Sequence, residues 1–595
     1  MDLAAGTSLA CRAAQDASSP RLRRAFVATA VVTFTLLLHV TFPNLGGTGL
    51  RMPHNAAIWV GAGVMMAIAL WPASRGVIRY STFHQGLGLL LVALWLPLLW
   101  TWNEASLIAL PRLLTVTAGV LLLLGLAQLQ LTRRHEWWLG MAILAGVLLE
   151  TALGYAQHFL LEPGNWLGYD PSRGRPYGIF QQVNVMASFL VTGLVVSAWL
   201  LGEARNSRLE RGVILLAPLL VPALVLVSQS RTGWLAALIA VPLVLLHLWQ
   251  LDRARFRAWA GTLLVGILLA ALVWWAPWAE TSSATKAIAT PGARLPVYLH
   301  SLRMIAEEPL MGWGYGRFQH DFLHSFADWR AALPINQPEI VDPIITATFA
   351  HPHNELLYWG IEGGVLPLLA LLGAAGWVAW RVWVHGPRGE RLLLTALLLP
   401  LALHSMTELP FYHSLGHWLA FVLLLGIVAG RCWPTRARDN RYTFGIKVGS
   451  VVTPLVLVLF MGSHLHTLWQ VKTHLESGGE RAGTFTSIVN PFGMAMMLDF
   501  QIMAQQLNAA AGLGMPDAVA DYLRWAETHA QLAPSPALYA NMLRAERVLG
   551  TAPESSALAQ RAQRLFPGAA VIESALASNA SAATLAAEKS DSGSR

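Results

Sequence analysis

Residues 183–251 read VNVMASFLVTGLVVSAWLLGEARNSRLERGVILLAPLLVPALVLVSQSRTGWLAALIAVPLVLLHLWQL, and this stretch decides the fold. It holds three apolar runs, 183–201, 212–228 and 232–251. Each has the length that crosses the hydrocarbon of a bilayer as a helix, about 17–25 residues. Arg205, Arg208 and Arg211 crowd the first connection. The second is a turn so short that Arg231 stands almost alone between two spans. Alternation of cation-rich and cation-poor connections marks a chain threaded back and forth through a membrane.

Runs of the same kind continue on both sides, near 25–43, 56–72, 84–102, 106–130, 137–160, 259–277, 355–380, 392–408, 414–430 and 447–465. The expectation is an all-α polytopic membrane protein with about 13 transmembrane helices. Composition agrees. Of 595 residues, 55% are hydrophobic and only 12% charged, with 25 Trp. Soluble domains carry roughly 25% charged residues, and Trp gathers at bilayer interfaces. The formal net charge of +8 would suggest nucleic acid in a soluble chain; here retention of cations on the cytoplasmic side explains it, and no nucleic-acid partner is expected. The two cysteines, Cys11 and Cys432, support neither a disulfide framework nor a thiolate metal site. The first apolar run lacks a small-residue cleavage site and reads as a retained helix.

Sidedness follows from alternate loops. One set holds Arg21/Arg23/Arg24, Arg75/Arg79, Arg133/Arg134, Arg205/Arg208/Arg211, Arg253/Arg255/Arg257, Arg381/Arg388/Arg391 and Arg431/Arg436/Arg438/Arg441. The short loops of the other set are nearly bare of cations. The positive-inside rule puts the N-terminus in the cytoplasm and the C-terminus outside. The chain then divides into a cytoplasmic N-terminus (1–24), nine helices (25–277), a long outward loop (278–354), four helices (355–465), an outward helical domain (466–575) and a disordered, Ser- and Ala-rich tail (576–595). Leu-Ala-Pro534 and Leu-Phe-Pro567 end similar helices about one tetratricopeptide period apart, a TPR-like spacing that an ordinary helical hairpin explains equally well.

The chemistry gathers on the outward side. The long loop ends in His351-Pro-His353-Asn354-Glu355, directly before a span. Ionisable groups at the lip of a span are costly to desolvate and mark function by default, and imidazole titrates near neutral pH. A few arginines, Arg317 among them, stand where the positive-inside rule makes them scarce. Arg175 lies in Gly174-Arg-Pro-Tyr-Gly-Ile-Phe-Gln-Gln182-Val-Asn184, Arg231 in Ser228-Gln-Ser-Arg-Thr-Gly-Trp234, and Arg294 in Arg294-Leu-Pro-Val-Tyr298. A guanidinium beside a capped helix N-terminus can clamp a phosphate; snorkelling to lipid headgroups is the plain alternative. Gly312-Trp-Gly-Tyr-Gly-Arg-Phe318 is too loosely spaced for a nucleotide loop and follows no strand. Glu408, in His404-Ser-Met-Thr-Glu408, is the main carboxylate able to orient a histidine, with Glu355 the other candidate. Asn354 and Glu355 also read as first-turn residues of the next helix.

Taken together, Ser228–Trp234, the long loop, and His353-Asn354 followed by Gly363-Gly364 resemble the O-antigen ligase and polymerase superfamily. Gly174–Asn184, Phe349-Ala-His-Pro-His-Asn-Glu-Leu356 and Val489-Asn-Pro-Phe-Gly-Met-Ala-Met-Met497 look like its PglL-type branch, the protein O-oligosaccharyltransferases. Pro367 departs from ligases that carry a small or hydroxylated residue after the glycine pair. The resemblance implies a GT-C-like enzyme of the bacterial inner membrane, with active site and C-terminus in the periplasm. It would move a glycan en bloc from an undecaprenyl-diphosphate carrier to Ser or Thr hydroxyls of a periplasmic protein such as a pilin. His353 would be the catalytic base, and Arg175 and Arg231 would contact the donor diphosphate. Arg294, Asn184, Gln182, His351, Asn354, Glu355 and Glu408 are the accompanying substrate-side residues, and neither metal nor cofactor is expected. The rival readings are an O-antigen ligase acting on lipid A–core, a polymerase, and, from another class, a transporter of a lipid-linked substrate; charges gathered at span ends, without internal repeats, speak against transport.

Overall fold

The computed structural model describes residues 19–43, 46–203, 207–274, 294–332, 349–477, 485–551 and 556–577. Cys11 and nearly all of the tail 576–595 lie outside them, as do large parts of the loop 278–354.

Among the described residues, twelve helices are long and apolar enough to cross a membrane: Pro20–His39, Pro53–Arg75, Thr82–Thr101, Ser106–Leu129, Arg133–Phe159, Val183–Gly202, Arg208–Val227, Arg231–Leu251, Arg253–Leu272, Val365–His385, Leu415–Cys432 and Thr443–Glu476. The expected span 392–408 is a shorter apolar helix, Arg391–Ser405. Two boundaries differ from expectation. The run 355–380 is two helices, Glu355–Gly363 and Val365–His385, because Gly364 takes a left-handed φ of +78° that breaks the helical path. The last span continues unbroken to Glu476, well past residue 465, because nothing in 466–476 breaks the helix. The polar loop holds helices Arg294–Glu307 and Phe318–Ala331, and the C-terminal region holds Ala495–Leu513, Pro516–Ala530, Pro536–Val548, Ala557–Leu565 and Ala570–Ala577. Among the described residues, one small exception to the all-α pattern joins two Arg-rich connections: Val77–Tyr80 pairs antiparallel with Arg436–Asp439.

Lipid tails are as apolar as leucine, so helices in a bilayer associate through close packing and interhelical hydrogen bonds rather than a hydrophobic drive. Val183–Gly202 is the centre of this packing, with 94% of its apolar window buried, against 6% for the peripheral last span. It is surrounded by Arg133–Phe159, Arg208–Val227, Arg231–Leu251 and Arg391–Ser405. Gly193 lies against Val147, and Gly233 against Ala187, each without room for a methyl group. Ser188 ties three helices together: its Oγ lies 2.7 Å from His404 Nδ1 and 3.2 Å from His417 Nε2. On the cation-rich face Arg431 bonds both Glu136 (2.6 Å) and Glu390, and Arg133 joins Glu390 at 3.0 Å. The central helix therefore presents a rigid opposite end, and the site is built on it.

Candidate active site

The site residues sit at helix ends, or in the loops that lead into them, on one face of the bundle, and local capping explains much of the placement. Gln182 caps Val183–Gly202 by accepting from the Val185 amide at 3.0 Å. Ser230 caps Arg231–Leu251 by accepting from Gly233 at 3.1 Å, and its hydroxyl donates to Asn184 Oδ1 at 2.7 Å. Asn354 caps Glu355–Gly363 through Leu357 at 3.1 Å, while its amide donates to the Met406 carbonyl at 2.9 Å. Thr232 and Thr407 share a hydrogen bond of 2.9 Å. These bonds draw the segments around residues 182, 230, 353 and 408 to one mouth.

His353 and Glu408 form its centre. His353 Nδ1 lies 2.7 Å from Glu408 Oε1. The imidazole is 27% exposed and the carboxylate 3%, so one edge of the ring meets the mouth while its support is buried. Burial alone would raise the Glu408 pKa, but the hydrogen bond from His353 and the surrounding imidazoles of His353, His351 and His413 pull it down to about 2. Glu408 is thus an anion that accepts the Nδ1 proton, which leaves Nε2 as the basic nitrogen. Its other oxygen, Oε2, lies 3.5 Å from both the Arg294 guanidinium and the Gln182 amide. Glu355, two residues along the chain, meets Trp359 and the Arg112 cation, so the carboxylate at His353 is Glu408.

His351 stands behind His353, with ring centroids 4.5 Å apart, and its Nδ1 accepts from the His353 amide at 3.3 Å. Burial pushes its pKa down to about 3, so it is neutral and a poor proton acceptor at neutral pH.

The arginines divide. Arg175 donates from Nε to the Ser228 carbonyl (2.9 Å) and from Nη2 to that of Gln229 (3.3 Å), committing part of its guanidinium to bracing the turn that carries Arg231. Arg231 itself is exposed at the helix start. The loop bearing Arg175 is pinned from below: Gln157 accepts from the amides of Tyr177 (3.0 Å) and Gly178 (2.8 Å), and Glu150 from that of Ile179 (3.0 Å).

Three features had no signal in the sequence. Of the four described non-glycine residues with positive φ, three surround this mouth: Gln181 (+55°), Gln229 (+51°) and His353 (+55°). Such conformations cost of order 1–3 kcal/mol each and persist where surrounding contacts over-determine them. At His353 the over-determination is visible, because Tyr298 donates its hydroxyl to the His353 carbonyl at 2.9 Å and also contacts that of Met406 at 3.2 Å. Tyr298, one helical turn after Arg294, is therefore a site residue. So is His413, whose Nε2 lies 3.9 Å from Glu408.

His351, Glu408 and His413 offer three potential ligand atoms within 4.8 Å of one another. Ligands around a tetrahedral ion with bonds of about 2.0–2.1 Å stand roughly 3.4 Å apart. The trio would have to contract to share an ion, and its present spacing is that of imidazoles gathered around one carboxylate.

With this geometry in view, sequence comparisons become informative. The family described as O-antigen ligase matches residues 214–372, the protein glycosylation ligase family matches 176–201, and the C-terminal part of the virulence-factor membrane-bound polymerase family matches 392–580. These matches make the chain similar to O-antigen ligases and protein glycosylation ligases. A curated relative, the general O-oligosaccharyltransferase of Acinetobacter baylyi, is 25% identical over 272 residues, which span 43% of this chain and 43% of that protein. His353 and Glu408 fall in different matched segments, so their pairing is a product of the fold.

Proposed function

We propose that this protein is an oligosaccharyltransferase that moves a glycan from a lipid diphosphate carrier, of the undecaprenyl type, to hydroxyl groups of periplasmic proteins. The observation that carries the reading is the buried Glu408 anion 2.7 Å behind a partly exposed His353, at a membrane lip lined by Arg231, Arg175 and Arg294. A base with a fixed tautomer beside guanidinium groups suits attack by a hydroxyl on a carbon bearing an anionic leaving group.

In this mechanism Arg231 and Arg294 face the diphosphate, while Arg175 holds the Ser228–Arg231 turn in place and lends its remaining donors. The acceptor Ser or Thr oxygen attacks the anomeric carbon as His353 Nε2 takes its proton. The bond from that carbon to the diphosphate oxygen breaks, and the electron pair leaves with the lipid diphosphate. The growing charge on that oxygen is stabilised by preorganised guanidinium groups, often the largest catalytic contribution. A single displacement inverts the anomeric centre. Glu408 stays ionised throughout and stabilises the imidazolium.

The test is co-expression with a glycan-lipid donor and a periplasmic acceptor such as a pilin, read by mass spectrometry of acceptor Ser and Thr peptides. We expect glycopeptides with the native chain, none with His353→Ala, and partial transfer with His351→Ala. Full glycosylation by His353→Ala would overturn the base assignment. The match to the O-antigen ligase family favours one second reading, transfer to lipid A–core sugar. Glycan appearing on lipopolysaccharide and on no protein would select it.

A further inference from the structure

The mount of the His353–Glu408 pair leads to a cation that no part of the mechanism uses. Arg112 lies on the Ser106–Leu129 helix, which contributes nothing to the mouth itself, and its side chain is 4% exposed. Its guanidinium bonds Glu362, equally buried, and stands 4.1 Å from the ring centre of Trp359, 4.3 Å from that of Tyr358 and 5.2 Å from that of Tyr315. Its Nε and Nη1 have no hydrogen-bond partner among the described residues; the aromatic faces take that place. Few environments hold an arginine this deep in a membrane bundle without a reason.

Its partners lie on one side of the catalytic pair and touch the other through a ring contact. Tyr358, Trp359 and Glu362 lie on the short helix that starts at Asn354, directly after His353. Tyr412, on the Pro410–His413 turn that follows Glu408, packs its ring 6.1 Å from that of Tyr358 and so reaches the cage through it. Glu362 also fastens the far end of the short helix. Its Oε1 accepts from the amides of Gly316 (3.0 Å) and Phe318 (3.3 Å). Around it the 309–318 loop closes onto the helix break: Trp313 donates to the Ile361 carbonyl at 2.8 Å, Gly314 to that of Glu362 at 3.0 Å, and Val365 to that of Pro309 at 2.7 Å. Gly312, Gly316 and Gly364 meet backbone so closely that a Cβ on any of them would clash, at Gly312 at 2.5 Å. Gly312 and Gly316 therefore serve close backbone approach around a buried carboxylate.

We propose that Arg112 and Glu362 are positioning residues of the transfer reaction. The caged ion pair locks the helix after His353 against the turn after Glu408 and so holds the imidazole–carboxylate geometry. The inference rests on the proposed glycan transfer, but its geometric part can be read without substrate.

The experiment uses the full-length protein in detergent. Arg112→Lys keeps the charge and loses the planar stack. The double variant Arg112→Met/Glu362→Leu removes both charges together, which buried pairs tolerate far better than loss of one partner. Three quantities are read: thermal stability, the rate at which diethyl pyrocarbonate modifies His353 relative to exposed His466, and the kcat and KM of transfer. We expect folded variants, a His353 labelling rate changed severalfold, and kcat lowered by up to about 100-fold with donor KM nearly constant, the cost of misplacing reacting groups by about 1 Å. Native labelling and native kcat in a folded double variant would overturn the proposal. Should the native protein transfer no glycan, the functional reading fails, while the labelling arm still decides whether Arg112 and Glu362 hold His353.

Discussion

Glu408 accepts the Nδ1 proton of His353 at 2.7 Å, across 55 residues of chain and from a different helix end. The contact fixes a tautomer, and a tautomer is what separates a base from a bystander. Glu408→Gln keeps the shape and removes the anion. By the logic of carboxylate–histidine pairs, kcat should fall by about 10²–10⁴-fold with donor KM little changed. Steady-state kinetics on a purified acceptor measure this, and a native kcat would show that the pairing is structural only.

Arg231 is exposed at a capped helix start, next to a turn braced by Arg175. Arg231→Lys retains the charge but not the two-pronged donor geometry suited to a diphosphate. We expect transfer to drop by at least about tenfold, more than a point charge alone would explain. A lysine variant with unchanged rate would remove the diphosphate clamp from the mechanism.

Acid should loosen the site through His351. Its folded-state pKa of about 3 lies below the ordinary 6.5, so between those values the unfolded chain binds a proton that the folded chain refuses. Stability is therefore full above pH 6.5 and falls as the pH drops toward 3. Glu408, lowered from 4.5 to about 2, contributes with the same sign at lower pH. Thermal unfolding in detergent between pH 7 and 4 should show a falling Tm that flattens in His351→Asn; equal slopes would exclude this source.

Chelation separates the two uses of the imidazole cluster. Transfer by protein treated with EDTA and returned to metal-free buffer should be unchanged, since the proposed step needs only the base, the anion behind it and the guanidinium groups. Loss of activity restored by a divalent ion would reassign His351, Glu408 and His413 as ligands.

Much of this architecture is legible along the chain. Hydropathy over a window of span length and the sidedness of arginines are local quantities, and they mark thirteen apolar segments, including Arg391–Ser405, although that helix is too short to count among the twelve long ones. A histidine pair at a span's lip and arginines at span ends are legible for the same reason: they are polar residues where polarity is costly. The helix break at Gly364 was hidden inside one apolar run, because a positive φ leaves no trace in hydropathy.

What tertiary structure alone decided is which of these groups meet. Glu355 is the carboxylate nearest His353 in sequence, yet it turns toward Trp359 and Arg112, while Glu408 takes the ring. Arg112 is a single arginine within an apolar run, and only the fold shows Tyr315, Tyr358 and Trp359 closing around it. In a bilayer all apolar faces are alike to the lipid, so no one-dimensional pattern says which helices become neighbours. Close packing at small residues and a few buried hydrogen bonds make that choice, and they bring an imidazole, a carboxylate and a caged guanidinium into one corner of the fold.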